Sequence, residues 1–167
     1  MTEPSWLNET EMRAWTGFLE TSDLIHRLVE RQLQEAGRVT MVQYEILTRL
    51  NELPGRRAGM TQLASLVICS RSGLTYQVGQ LEKAGLLTRE PDPADERGVL
   101  AALTAAGIAV LERTAPGHLD TVRAGFLDRL TPEQIAQLAE ITDRTREHLR
   151  QIVPLIPARS KKKPITE

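Results

Sequence analysis

Hydrophobic residues recur at helical spacing near the middle of the chain. Leu74, Val78 and Leu81 stand at i, i+4 and i+7, which places them on one face of a helix and predicts that this face is buried. Polar and small side chains share the other face: Ser72, Tyr76, Gly79 and Lys83, flanked by Thr75 and Gln80. The pattern therefore predicts an amphipathic helix whose outer face forms hydrogen bonds and is only slightly charged.

This helix has clear predicted ends, and a shorter helix precedes it. Ser70 is a favourable N-cap residue, and Gly85 is the residue that a left-handed C-terminal cap prefers. The shorter helix is predicted to start at Thr61, whose hydroxyl can cap its first turn. Two helices that meet at a tight break are the arrangement with which a helix-turn-helix enters the major groove of DNA.

Two further helices are predicted before this pair. The first covers residues 5–36 and ends at Gly37; its loose apolar stripe packs either into the core or against another subunit. The second starts at Thr40, because Thr40 and Gln43 form a capping box, and it stops at residues 53–55.

A β-hairpin is predicted after the helix pair. Residues 86–90 form a strand, residues 91–98 a turn rich in proline and acids, and residues 99–103 a returning strand. Asp95 and Arg97 are two positions apart, so both side chains can lie on one side of an extended segment. They form either a DNA contact, in which the arginine reaches phosphates or a narrow minor groove, or a surface ion pair worth less than about 1 kcal/mol.

Two helices are predicted after the hairpin. Thr104 caps the first, and Pro116 and Gly117 should bend or interrupt it. Residues 130–134 restart a helix, with a capping threonine, a proline at the first position and a glutamine at the third. From residue 154 onward, prolines and a lysine run predict a flexible basic tail.

The composition is typical of a folded protein from a reducing compartment. The chain has 167 residues, of which 41% are hydrophobic and 26% charged, so it can bury a core. The single cysteine, Cys69, excludes an internal disulfide, and no apolar run reaches the ~18–20 residues of a membrane span. The N-terminus lacks the features of a signal peptide. We therefore expect a cytoplasmic protein without a membrane partner.

Net charge leaves a nucleic-acid partner open. The formal charge is −1. Basic residues nevertheless cluster locally, in a loop at Arg56 and Arg57 and in the tail at Arg159 and 161–163. Phosphates respond to local rather than total charge, so a near-neutral protein with a basic strip can bind DNA.

No catalytic or metal-binding constellation is recognisable. His26, His118 and His148 have no i+3 or i+4 partner, whereas a zinc site requires three or four converging ligands. Nucleophile–base groups, glycine-rich phosphate loops and paired carboxylates are also missing from the sequence. Cys69 is either a buried structural residue or a thiol whose pKa is lowered beside the start of a helix. We therefore expect no enzyme activity, no metal and no cofactor.

Several motifs, in order, resemble the MarR family of bacterial transcriptional regulators. They are Val39-Thr40-x-x-Gln43, Thr61-x-Leu63-Ala64, Ser70-x-Ser72, Leu81 to Arg89, Asp92-Pro-x-Asp95-x-Arg97-x-Val99 and Leu103-Thr104-x-x-Gly107. The likeness covers residues 39–110 and implies a mainly α (α+β) fold, a winged helix-turn-helix with long N- and C-terminal dimerisation helices. The implied organisation is a dimerisation helix over 1–38, a DNA-binding domain over 39–104 with its wing at 86–104, dimerisation helices over 105–153 and the tail over 154–167.

The resemblance also implies a homodimeric regulator, predicted here to be a repressor, that binds double-stranded DNA at a pseudo-palindromic operator. Its two reading helices would lie about one DNA turn apart, roughly 34–36 Å. The positions carried over to DNA contact are Ser70, Arg71, Ser72, Thr75, Tyr76 and Gln80 on the recognition helix and Arg89, Asp95 and Arg97 on the wing.

Two positions depart from the family pattern. The family often has arginine where this chain has Tyr76 and Gln80, so arginine–guanine contacts worth ~1–3 kcal/mol each are unavailable there. A different operator sequence is therefore expected. The same departures, together with the near-neutral charge, support an alternative: a winged-helix protein–protein interaction module with little or no DNA binding.

A small-molecule effector is a further implication of the resemblance, because many relatives release DNA when they bind a phenolic or other anionic aromatic compound. The pocket would lie between the flanking helices and the winged unit. Candidate lining residues are Trp15, Phe18, His26, Met41 and Tyr44. The alternative for these side chains is ordinary core packing.

Overall fold

Six α-helices and a three-stranded antiparallel sheet make up the described part of the protein. The computed structural model describes residues 6–93 and 95–153, and the side chains of residue 71 and residues 95–97 lie outside this description. The helices are α1 (Glu9–Gly37), α2 (Met41–Glu52), α3 (Met60–Leu66), α4 (Arg71–Lys83), α5 (Ala105–Gly125) and α6 (Pro132–Ile152). The strands are β1 (Arg57–Gly59), β2 (Leu87–Asp92) and β3 (Asp95–Leu103). The predicted winged helix-turn-helix fold is confirmed.

Helix ends follow the predicted capping chemistry at most positions. Thr40 and Gln43 form the predicted capping box of α2, and Thr131 with Gln134 forms that of α6. The predicted start of the first helix was wrong, because Asn8 caps α1 through a capping box with Glu11.

The start of α3 also differs from the prediction. The N-cap is Gly59, without a side-chain cap, so Thr61 lies inside the helix rather than at its start. The helix begins earlier than predicted because it follows strand β1 directly, with no loop between the two elements.

The predicted hairpin is part of a sheet with the order β1-β3-β2. Ala58 of β1 lies opposite Ala101, so the segment that was predicted as a basic loop at Arg57 is a strand. The hairpin turn is also shorter than predicted, since Pro91 pairs with Val99 within the ladder. Proline is tolerated there because β2 is an edge strand of the described sheet.

Helix α5 runs through Pro116 without interruption and ends at Gly125. The predicted interruption was therefore wrong. Packing against α1 accounts for the continuity: a Cβ at Gly37 of α1 would lie 2.5 Å from Thr114 Cγ2, before the proline, and one at Gly125 would lie 2.7 Å from Leu28 Cδ2, after it. Close helix–helix contact on both sides of the proline stabilises a helix that its missing N–H weakens locally.

The hydrophobic core lies where α1, α2, α4 and α5 meet the sheet. Its fully buried side chains include Leu33, Ile46, Leu47, Leu50, Leu63, Leu74, Val78, Leu81 and Leu87. The N-terminal half of α1 and the whole of α6 contribute no buried residue. Within the described residues, none of the helices is long and apolar enough to span a membrane.

Candidate nucleic-acid interface

Helix α4 has one buried and one exposed face, as its sequence predicts. Leu74, Val78 and Leu81 are at most 1% exposed. Ser70 caps the helix, because its hydroxyl accepts a hydrogen bond of 3.1 Å from the Gly73 N–H. At the other end Gly85 has a φ of +72°, which a left-handed cap requires, and the Leu86 N–H donates back to the Leu81 carbonyl. These contacts direct the opposite face of α4 outward.

The outward face carries most of the predicted DNA-contacting residues. Tyr76 is 63% exposed, and Ser72 and Thr75 are exposed beside it. The hydroxyls of Ser70 and Ser72 lie 3.3 Å apart at the N-terminus of the helix, which is the end that contacts base edges in helix-turn-helix proteins. Gln80 is half-buried at the edge of the same face.

The wing is attached to α4 by an ion pair. Arg89 Nε on β2 lies 3.4 Å from the Glu82 carboxylate on α4. A Cβ at Gly79 would lie 3.7 Å from Arg89 Nη2, so the guanidinium stretches along the C-terminal half of α4. Arg89 therefore braces β2 against the recognition helix at the same time as it adds positive charge there.

Two predicted wing residues and one helix residue cannot be placed in detail. The backbones of Asp95 and Arg97 belong to β3, but their side chains, like that of Arg71, lie outside the described part. Their DNA contacts stay predictions.

A carboxylate from α2, that of Glu45, lies beside the turn between α3 and α4. Burial raises the pKa of this carboxyl, and the nearby Ile68 N–H and the charge of Arg49 partly offset that effect. Burial, and then the negative charge of Glu45, raises the pKa of the Cys69 thiol. The prediction that the start of the helix lowers this pKa is therefore wrong. Sequence reasoning missed Glu45, because only the fold brings it beside the turn.

The five candidate pocket residues do not come together within the chain. Glu30 of α1 contacts the first turn of α2, whereas Trp15 lies fifteen residues earlier on α1, a rise of about 22 Å. Trp15 and Phe18 stack on each other at 6.4 Å, with 53% and 59% of their surfaces exposed. His26 is exposed. The candidate residues of the predicted pocket therefore fall into separate groups: Trp15 and Phe18 in the N-terminal half of α1, and Met41 and Tyr44 on α2.

Tyr44 instead contacts His118 of α5, a residue to which the sequence assigns no role. Their ring centroids lie 4.9 Å apart. Burial raises the pKa of the Tyr44 phenol, an effect that the nearby Thr48 hydroxyl partly offsets, and burial lowers the pKa of His118. The two residues are far apart in sequence, so no local pattern predicts the pair.

Lowering the pH below 6.5 should reduce the free energy of unfolding through His118. Because burial lowers the pKa of this imidazole from its ordinary value of 6.5, the unfolded chain takes up the proton first. The contribution of His118 is complete above pH 6.5 and is lost as the pH falls through the folded pKa. Urea unfolding on both sides of pH 6.5, at fixed protein concentration, should show a shallower pH dependence for His118→Gln. His26→Gln is the matched control, and equal slopes for His118→Gln and the parent protein would contradict the expectation.

No cluster of three or more histidine, cysteine, aspartate or glutamate side chains that could hold a metal ion occurs within residues 6–93 and 95–153. The outward face of α4, its N-terminus and the adjoining sheet are thus the main candidate site. This arrangement can form hydrogen bonds in a groove and ion pairs with phosphates.

Comparison with known proteins identifies relatives with the same architecture. The family model described as MarR family matches residues 39–99. The chain is similar to Sco3205 of Streptomyces coelicolor, a MarR family transcriptional regulator crystallised in complex with DNA, with 42% identity, 95% of this chain and 96% of that chain covered, and a TM-score of 0.85. It is similar to AbsC, a MarR family regulator of the same organism, with 38% identity, 89% and 99% coverage and a TM-score of 0.84. It is also 30% identical over 94 residues to YkoM of Bacillus subtilis (strain 168), an uncharacterised HTH-type transcriptional regulator; the match covers 56% of this chain and 60% of that protein.

Proposed function

Because the chain belongs to the MarR family of transcriptional regulators, we propose that it binds double-stranded DNA as a homodimer at a pseudo-palindromic operator and represses transcription there. The family consists of regulators and not of enzymes. The DNA-contacting residues of the proposal are those on the outward face of α4 together with Arg71, Arg89, Asp95 and Arg97.

The observation that carries this proposal is the orientation of α4. Its apolar stripe is completely packed, while Ser72, Thr75 and Tyr76 face outward beside the sheet. A recognition helix needs this division, because the side chains that read base edges must lie on the face that is turned away from the core. The DNA complex of the 42% identical Sco3205 supports the same use of the fold in this chain.

Selection from a random-sequence DNA pool tests the proposal. We expect the protein to enrich an inverted repeat whose half-sites lie about 10 base pairs apart, since two-fold symmetry sets that spacing. Enrichment should weaken steeply as salt increases. Failure to enrich any sequence at any salt concentration would overturn the proposal and would favour the alternative, a protein–protein interaction module.

Dimerisation is supported by apolar side chains that one protomer leaves uncovered. The exposed large ones on α1 and α6 are Met12, Trp15, Phe18, Leu19, Leu24, Ile135, Ile141, Leu149 and Ile152. Monomeric proteins rarely expose apolar faces of this extent, and a second copy of the chain can cover both by a two-fold axis.

Replacing Ile141 by glutamate should convert the dimer to monomers. Ile141 is 62% exposed and lies on the same face of α6 as Leu149 and Ile152. A carboxylate at this position would have to lose its water in the interface, which costs several kcal/mol. Sedimentation equilibrium measures the change. Ala136→Glu, which adds the same charge to the opposite face of α6, is the matched control, and an unchanged dimer in Ile141→Glu would contradict the interface.

An aromatic effector is the last part of the proposal, and we place its site beside Tyr44 and His118, at the junction of α1, α2 and α5. Two buried polar atoms there, Gln32 Oε1 and His118 Nδ1, have no hydrogen-bond partner among the described residues. Buried atoms of this kind are ordinarily satisfied, by water or by a ligand. Thermal-shift screening of phenolic acids tests this, because a ligand at 100 times its Kd adds about 2.7 kcal/mol to stability. No shift with any of them would contradict the effector.

A further inference from the structure

The side-chain amide of Gln43 connects the first turn of α2 to the recognition helix. Its Oε1 accepts from the Thr40 N–H at 3.0 Å as half of the capping box. Because a backbone N–H can only donate, this bond fixes the orientation of the amide and turns Nε2 away from the cap. Nε2 donates to Gln77 Oε1 on α4 at 3.0 Å. One side chain thus belongs to the cap of α2 and to the contact with α4.

The same turn of α2 is held from the other side by α1. Glu30 Oε2 accepts from the Met41 N–H at 2.6 Å. A carboxylate is favourable at a helix N-terminus, where unpaired N–H groups and the helix dipole both attract negative charge. The point from which Gln43 reaches α4 is therefore anchored to α1 and does not depend on α4.

Gln77 lies between the two faces of α4. It precedes the buried Val78 by one position and follows the exposed Tyr76 by one, and it is partly buried. The apolar stripe of α4 holds the helix against the core without specifying a direction, because hydrophobic contacts are non-directional. A hydrogen bond at the edge of the stripe adds the missing direction.

We propose that Gln43 is a positioning residue for DNA reading: through Gln77 it sets the rotation of α4 about its own axis, and hence where Tyr76 and Thr75 enter the groove. The inference rests on the proposed function, since it concerns selective DNA binding. It predicts that loss of this bond lowers the preference for the selected DNA sequence more than it lowers binding to DNA in general.

A double-mutant cycle on the whole 167-residue chain tests the proposal. In Gln43→Glu, one carboxylate oxygen still accepts from the Thr40 N–H. The other can accept from the Gln77 Nε2 once the side-chain amide of Gln77 flips. Gln77→Glu keeps an acceptor for Gln43 Nε2. The double variant Q43E/Q77E has an acceptor on both sides and no donor, so only this variant loses the bond. The probes are the duplex that the parent protein enriches from a random pool and a scrambled duplex of the same length; the measured quantity is the ratio of the two affinities.

We expect both single variants to keep the affinity ratio within about twofold of the parent value. The double variant should lower the ratio by about thirtyfold, because a net hydrogen bond contributes about 1 kcal/mol and the proposed dimer has two copies. The scrambled duplex corrects for the added negative charge.

A second pair of variants separates positioning from helix capping. Gln43→Ala should lower the affinity ratio. Thr40→Ala, which removes only the other half of the capping box, should leave the ratio unchanged. Additive effects in the cycle, or equal ratios for Gln43→Ala and Thr40→Ala, would overturn the proposal alone. If the parent protein enriches no duplex, both the proposed function and this inference fail.

Discussion

Gly107→Ala should reduce the free energy of unfolding by about 3 kcal/mol or more. A Cβ at this position would overlap the Leu86 carbonyl oxygen and would lie 2.6 Å from Leu103 Cδ1. The oxygen cannot withdraw freely, because it accepts a hydrogen bond of 3.2 Å from the Thr104 N–H. Overpacking typically costs about 1–3 kcal/mol and occasionally more, and the upper end is expected because the obstacle is backbone. Urea unfolding at fixed protein concentration measures the loss.

Gly79→Ala is the matched control for that experiment. A Cβ at Gly79 would meet only Arg89 Nη2, at an ordinary contact distance of 3.7 Å. Alanine is favoured over glycine inside a helix by about 1 kcal/mol, so this variant should be as stable as the parent protein or slightly more stable. A Gly107→Ala protein with an unchanged unfolding midpoint would show that the junction of β2 and α5 has room that its geometry does not suggest.

Tyr76→Arg should change which DNA sequence the protein selects. Tyr76 is 63% exposed on the outward face of α4, and an arginine there can form a bidentate contact with guanine O6 and N7. We expect selection from a random pool to shift toward guanine at one position in each half-site. Tyr76→Ala should weaken binding to the parent sequence by about 30-fold or more, because each base contact contributes about 1–3 kcal/mol and the proposed dimer has two.

Stability provides the control for both Tyr76 variants. An exposed side chain outside the core should alter the free energy of unfolding by no more than about 0.5 kcal/mol. A change in DNA preference without a change in stability would therefore come from the reading face itself. Identical selected sequences for the parent protein and Tyr76→Arg would exclude residue 76 from base contact and would leave Gln80 and the serines at the start of α4 as the readers.

The reading helix was predictable because its signals are local. The stripe of Leu74, Val78 and Leu81, the cap at Ser70 and the left-handed residue Gly85 act within a few positions of one another. The capping box at Thr40 is local in the same way. Helix periodicity and capping depend on neighbours three or four positions away, so the residue order alone specifies which face of α4 points outward.

Contacts between distant segments were not predictable from these patterns. Strand β1 has three residues and no alternation to recognise, and it is a strand only because β3 lies beside it. The Arg89–Glu82 brace, the Tyr44–His118 contact and the Gln43–Gln77 bond likewise join separate elements. Each depends on the path of the chain through the core, which no pattern within one element encodes. Local sequence thus specified the reading face of α4, whereas packing across the fold supplied the wing brace, the α1–α2 anchor and the bond that orients that face.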